Sequence, residues 1–175
     1  MTRTTIEQVA ERAQLGRAAF LRRFGSKRQA VLLLYDRYAD QCVTELDSLR
    51  SVIGSFASAE AFLTNLYAAT EQMQLAHFGL NLAMHQDFAD ELETAAGTKR
   101  VFYAFLAIME QLQDRFLPPE AKSAEGRFAA SQLIITLSLN YILRAMPGLP
   151  RETDRRHALM GQIAWLALRQ PAAPI

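Results

Sequence analysis

The chain has 175 residues, 50% of them apolar and 21% charged, with a net charge of +1. That length fits one domain, or a small head on a larger body with a full core. It leaves no apolar run of the roughly 18 residues that a membrane span needs, and the single Cys42 cannot build a disulfide framework. No apolar stretch stands close behind Met1, so no secretory leader is read and a cytoplasmic location is expected. The small net charge hides an asymmetry. Residues 1–28 carry seven bases (Arg3, Arg12, Arg17, Arg22, Arg23, Lys27, Arg28) against Glu7 and Glu11, a net charge of +5, while the remainder holds 12 bases and 16 acids, a net charge of −4. A basic head on an acidic body is the footprint of a segment that binds phosphates.

Almost every segment predicts helix, and alternating β-branched runs are missing, so the fold class is all-α. Thr4 or Thr5 caps a first helix whose buried stripe is Ile6, Val9, Ala10 and Ala13. Gln14-Leu15-Gly16 is a turn, with Gly16 free to take angles that other residues avoid. A short second helix over 17–24 gathers Phe20, Leu21 and Phe24 on one side. Gly25-Ser26 stops it, and Ser26 caps the next helix. That third helix, 27–50, has a long stripe of Val31, Leu34, Tyr35, Tyr38, Cys42 and Leu46.

Further helices are expected over 58–77, 80–85, 87–95, 99–116, 123–146 and 152–169. Breaks are expected at Gly54-Ser55, Phe78-Gly79, Gly97, Pro118-Pro119 and Pro147-Gly148-Leu149-Pro150, and a frayed tail over 171–175.

Two short helices joined by a tight turn, with bases on the second, form a helix-turn-helix pattern, whose second helix enters the major groove. The residues carry a more specific likeness. The run Thr5-Ile6-Glu7-Gln8-Val9-Ala10-Glu11-Arg12-Ala13, the turn and helix through Phe24, and then Gly25-Ser26-Lys27 resemble the TetR family of repressors. That family has a Thr-[Ile/Val]-x-x-[Ile/Val]-Ala-x-x-Ala helix and a recognition helix ending in Phe-x-[Ser/Asn]-Lys.

The resemblance implies that Thr5 and Lys27 bind phosphates at the starts of their helices. It puts Arg17, Ala18, Leu21 and Arg22 on or near the groove-facing side, and Arg23 where the family often has a phosphate-contacting Tyr or His. Arg17 and Arg22 are the candidate base readers, because arginine grips guanine through two hydrogen bonds; Ala18 and Leu21 have the plainer alternative of simply packing. The partner implied is double-stranded DNA with a palindromic operator, and the effect on transcription is repression.

Three features depart from the family pattern. Gln14 stands where Gly is common, and Gly16 where Ser or Thr often caps. Only four residues precede Thr5, where the family has one more helix covering the apolar side of the motif, so Ile6, Val9, Phe20 and Phe24 are expected to be partly uncovered.

Behind this head, at 1–28, the sequence predicts a ligand-binding and dimerisation domain over 29–170. Leu133, Ile134, Leu137, Leu139, Tyr141, Ile142 and Leu143 surround one long helix, and Ile163, Trp165, Leu166 and Leu168 line the last. Helices apolar on most sides are buried on more than one face, and the resemblance pairs these two with their copies in a homodimer.

The resemblance also implies a pocket for a small hydrophobic or amphipathic effector. Its candidate lining is Tyr67, Met73, His77, Phe78, Met84, His85, Phe88, Phe102, Tyr103 and Met109, residue types that adapt to varied ligands but that at helical spacing also serve as plain core. No metal or other cofactor is expected: His77 and His85 lie eight apart across a break, without a matching carboxylate or thiol. Nor is an enzyme expected, since phosphate loops and nucleophile elbows are missing and Ser131, Asp154 and His157 form no familiar constellation. A competing reading is a helical ligand-sensing or protein-interaction module that has lost tight DNA binding.

Overall fold

The computed structural model describes residues 5–144 and 152–170. Among them every regular element is helical: α1 (Ile6–Arg12), α2 (Arg17–Phe24), α3 (Lys27–Ser51), α4 (Ala59–Ala76), α5 (Phe78–Asp87), α6 (Ala89–Thr94), α7 (Ala96–Phe116), α8 (Ala124–Arg144) and α9 (Thr153–Leu168), with short 3-10 turns at Ile53–Ser55 and Pro119–Ala121. The all-α expectation holds. The 147–150 loop, the 171–175 tail and the side chains of Ile6, Val9, Tyr141, Ile142 and Leu143 lie outside the described residues.

Local chemistry explains the first boundaries. Thr5 and Gln8 form a capping box: the Gln8 amide N–H donates to Thr5 Oγ1 at 3.2 Å, and the Thr5 N–H donates to Gln8 Oε1 at 2.8 Å. α1 ends in a Schellman turn, with Leu15 N–H donating to the Ala10 carbonyl and Gln14 N–H to the Glu11 carbonyl. That turn demands a left-handed residue at Gln14, which has φ 54°. The sequence reading gave the unusual backbone to Gly16, but Gly16 is extended (φ −70°, ψ 150°) as the N-cap of α2. A left-handed non-glycine residue costs about 1–2 kcal/mol. Gly25, at φ 69°, closes α2 through its N–H to the Leu21 carbonyl, and Ser26 caps α3 by accepting from Gln29 N–H.

Two expected breaks sit elsewhere. The chain turns at His77, and α5 begins at Phe78 itself. Gly97 does not separate helices; it lies inside α7, buried against α3, where a Cβ would stand 2.7 Å from the Ala39 Cβ. The missing side chain is what lets the two helices approach.

The main core unites α4 (Phe62, Leu63, Leu66, Tyr67), α7 (Phe105, Ile108, Met109, Leu112), α8 (Ala130, Ile134) and α9 (Met160, Ala164, Leu168). A second cluster joins Tyr35, Tyr38 and Cys42 of α3 to Met84 of α5. A small third one, Ala10, Phe20 and Ala30 with Leu21 and Phe24 against it, holds the head together. Phe20, expected to be partly uncovered, is only 2% exposed, because α1, the start of α3 and the Phe24 ring (centroid 4.9 Å away) enclose it. Phe24 is half-buried, as expected.

α4 and α9 are also tied by charge. Arg156 Nη2 lies 2.7 Å from Glu71 Oε1, and His157 Nε2 lies 3.2 Å from Glu71 Oε2. All three residues are buried, and the Tyr67 ring packs on His157 at 5.6 Å. Removing one member of a buried ion pair strands its partner, at a cost of about 3–5 kcal/mol. Glu71→Ala is therefore expected to lower the melting temperature by roughly 10 °C, at about 2–4 °C per kcal/mol for a chain of this size; thermal unfolding followed by circular dichroism reads the shift.

Candidate nucleic-acid interface and interior pocket

The head presents one basic face. On α2, Arg17, Ala18, Arg22 and Arg23 are exposed, while Phe20 points inward and Leu21 is half-buried against the head cluster. Arg22 and Arg23 make no ion pair with any described residue; Arg23 lies over the Phe24 ring at 5.7 Å. Arg17 Nη1 is 3.1 Å from Glu7 Oε1 on α1, with both side chains more than half exposed. The Glu7 carboxyl is held below its ordinary range, first by a hydrogen bond from its own backbone N–H and only lastly by Arg17. Thr5 Oγ1 accepts within the capping box, which leaves its hydroxyl proton to donate outward. Lys27 begins α3, half-buried beside this face.

α3 leaves the head and enters the body, where four polar contacts grip it. Arg28 pairs with Glu91 of α6. Asp36 and Asp40 both hold Arg100 of α7 at 2.8 Å, and the Tyr35 hydroxyl meets Thr98 Oγ1 of α7 at 3.0 Å.

Beyond this grip, α3, α4, α5, α6, α7 and α8 surround a pocket of about 190 Å³. Its polar wall is Tyr35, Tyr38, Gln74, Asn81, Thr98, His85 and Gln132, and its apolar wall includes Leu92, Val101, Ile135 and Leu139. Asn81 Nδ2 donates to the Gln74 carbonyl at 3.1 Å and to the Tyr38 hydroxyl at 3.4 Å. Burial pushes the Tyr35 and Tyr38 hydroxyls up from their ordinary values and the Cys42 thiol up to about 11, so all three stay neutral at physiological pH. On the far side of Tyr38 and Cys42, an open cleft of about 450 Å³ runs between α3 and α4. A surface groove of about 650 Å³ lies between α7 and α8.

Residues 1–32 match the family model described as bacterial regulatory proteins, tetR family. The chain carries a TetR-family head. This is a family of DNA-binding transcription regulators, and the match ends within the first turns of α3. No curated protein and no solved structure matches the chain. Among the described residues no helix is long and apolar enough to cross a membrane.

Behind the TetR head, the ten sequence-derived pocket candidates disperse. His85 and Phe102 line the 190 Å³ pocket. Met73 and His77 line the α3–α4 cleft, with the His77 ring tilted against Tyr38 at 4.8 Å. Tyr67, Met84 and Met109 are fully buried core. Phe88 is half-buried against the second cluster. Phe78 is exposed, and Tyr103, 66% exposed, lines the α7–α8 groove. Composition favoured Met and aromatic residues and passed over the wall that α3 supplies. Tyr35, Tyr38 and Cys42 stood in the α3 stripe as core residues; their spacing carries no mark of a cavity.

The raised Cys42 value sets a pH dependence. Unfolded, the thiol ionises near its ordinary 9.0; folded, it holds its proton to about 11. Its contribution to stability is complete below pH 9 and is lost as the pH rises from there to 11. Chemical denaturation across that range is expected to show falling stability, and Cys42→Ala is expected to make the fall shallower.

Proposed function

We propose that the chain is a ligand-responsive transcriptional repressor that binds a palindromic operator as a homodimer. The observation that carries this reading is the TetR-family head with its exposed basic α2. In this reading 1–28 is the DNA-binding head and 29–170 the ligand-binding and dimerisation domain, with α3 common to both. Arg17 and Arg22 read base edges, with Ala18 and Leu21 beside them at the groove; Thr5, Arg23 and Lys27 hold phosphates. Phosphate contacts fix the register and base contacts select the sequence. The protein works in the cytoplasm, where its DNA is, and as a switch rather than an enzyme.

Dimerisation through α8 and α9 is supported by apolar residues that the single chain leaves outside: Phe128, Leu159 and Leu166 are exposed, and Leu133, Leu137, Ile163 and Trp165 are half-buried. A two-fold axis there would present two heads to two half-sites.

The effector acts by population shift, binding the arrangement that cannot engage DNA better than the one that can. A physical route exists: Leu92 lines the pocket, and its neighbour Glu91 pairs with Arg28, one residue past Lys27. A ligand that moves α6 shifts the anchor of α3 and so the spacing of the heads.

DNA binding by the full chain, on the sequence flanking its own gene, tests the reading. Affinity is expected to fall steeply with salt. Lys27→Ala is expected to lower the salt slope by about 1, and Arg22→Ala to cost about 1–3 kcal/mol and relax specificity. A folded protein that binds no DNA, or binds with no salt dependence, contradicts the reading.

The Arg17–Glu7 pair adds a finer expectation. An exposed pair is screened by solvent and weak, and Arg17 must leave Glu7 to reach a base. Glu7→Gln is therefore expected to tighten operator binding by up to about fivefold, read in the same titration.

A further inference from the structure

We propose that the pocket between α3, α4, α5, α6, α7 and α8 takes a small uncharged hydroxylated organic molecule, about one aromatic ring in size, held at the Gln74 amide. This rests on the reading of the chain as a ligand-responsive regulator and names the chemistry of its effector.

Three observations define the ligand. First, Gln74 is 7% exposed and its Oε1 has no hydrogen-bond partner. A buried acceptor left unpaired is destabilising, because it has lost its water and gained no donor. The neighbouring wall does not relieve it: the Tyr35 hydroxyl is engaged with Thr98, and the Asn81 amide with the Tyr38 hydroxyl and the Gln74 main-chain carbonyl. A ligand hydroxyl donating to Oε1 fills the vacancy that the protein's own groups leave.

Second, no Lys, Arg, Asp or Glu stands among the described residues that line the pocket. The one imidazole of the lining, His85, is exposed, so a charge held inside would lack a buried counter-charge, and uncompensated burial of charge is far costlier than burial of a hydroxyl. Third, the volume is about 190 Å³, against roughly 150 Å³ for a cavity that accepts benzene. One ring with a small substituent fits, against the walls that Val101, Phe102 and Ile135 provide.

Calorimetric titration of the full-length protein with three probes of similar size tests the assignment: phenol, toluene and benzoate at neutral pH. Phenol is expected to bind at a single saturable site, toluene about tenfold more weakly, and benzoate not at all. Gln74→Leu and Gln74→Met are each expected to cost phenol about tenfold and to bring toluene level with it. Toluene binding as well as phenol, benzoate binding as well as phenol, or no probe binding at all overturns the assignment. The ranking on the unmodified protein decides this even if a Gln74 variant does not fold. The two readings fail separately. Loss of the pocket result with salt-dependent DNA binding intact removes only the effector class, whereas phenol binding without DNA binding leaves the pocket and removes the regulator.

Discussion

One helix belongs to two parts of this protein. α3 supplies Ala30 to the head cluster and Tyr35, Tyr38 and Cys42 to the body, so neither part can reorient without moving it. Its hold on the body depends on a close approach to α7, which Gly97 permits by offering no Cβ against Ala39. With the backbones that near, Tyr35 reaches Thr98, and Arg100 reaches both Asp36 and Asp40. The ion pairs are exposed and individually weak. Their value is geometric, since they fix the rotation and height of α3 on α7 around a buried contact.

The interior separates charge from neutrality. Glu71 locks α4 to α9 through its ion pair with Arg156 and its contact with His157. The 190 Å³ pocket has no Lys, Arg, Asp or Glu in its described lining, and burial keeps its tyrosine hydroxyls and its thiol neutral. A similar division shows on the surface, where the basic face of α2 stands apart from an acidic body. Charge is thus available for phosphates at one end and absent where an uncharged molecule would be held.

The head was the most legible part of the sequence, because its signals are local. Thr5, Gly25 and Ser26 each act within a few residues, and the one buried ring, Phe20, reaches only to Ala10 and Ala30. Even there a local signal was misread: the Schellman turn put the left-handed residue at Gln14 and left Gly16 extended. The body was legible as helices and little more. Gly97 reads as a helix breaker in sequence and acts as a packing notch, because a glycine's role depends on what faces it. The pocket wall was illegible, since Gln74 and Asn81 are ordinary helix residues until four other helices bury them. The Glu71–Arg156–His157 cluster spans 85 residues of chain, a separation that no periodicity reports.

The proposed dimer through the apolar outer faces of α8 and α9 would set two heads, each carried by its α3, on one frame. Hydroxyl-radical footprinting of the protein on its operator, with the stoichiometry measured in the same samples, tests that arrangement. Two chains per site are expected, protecting two patches on one face of the duplex and separated by whole helical turns of about 10 bp. A single protected patch, or one chain per site, would contradict it.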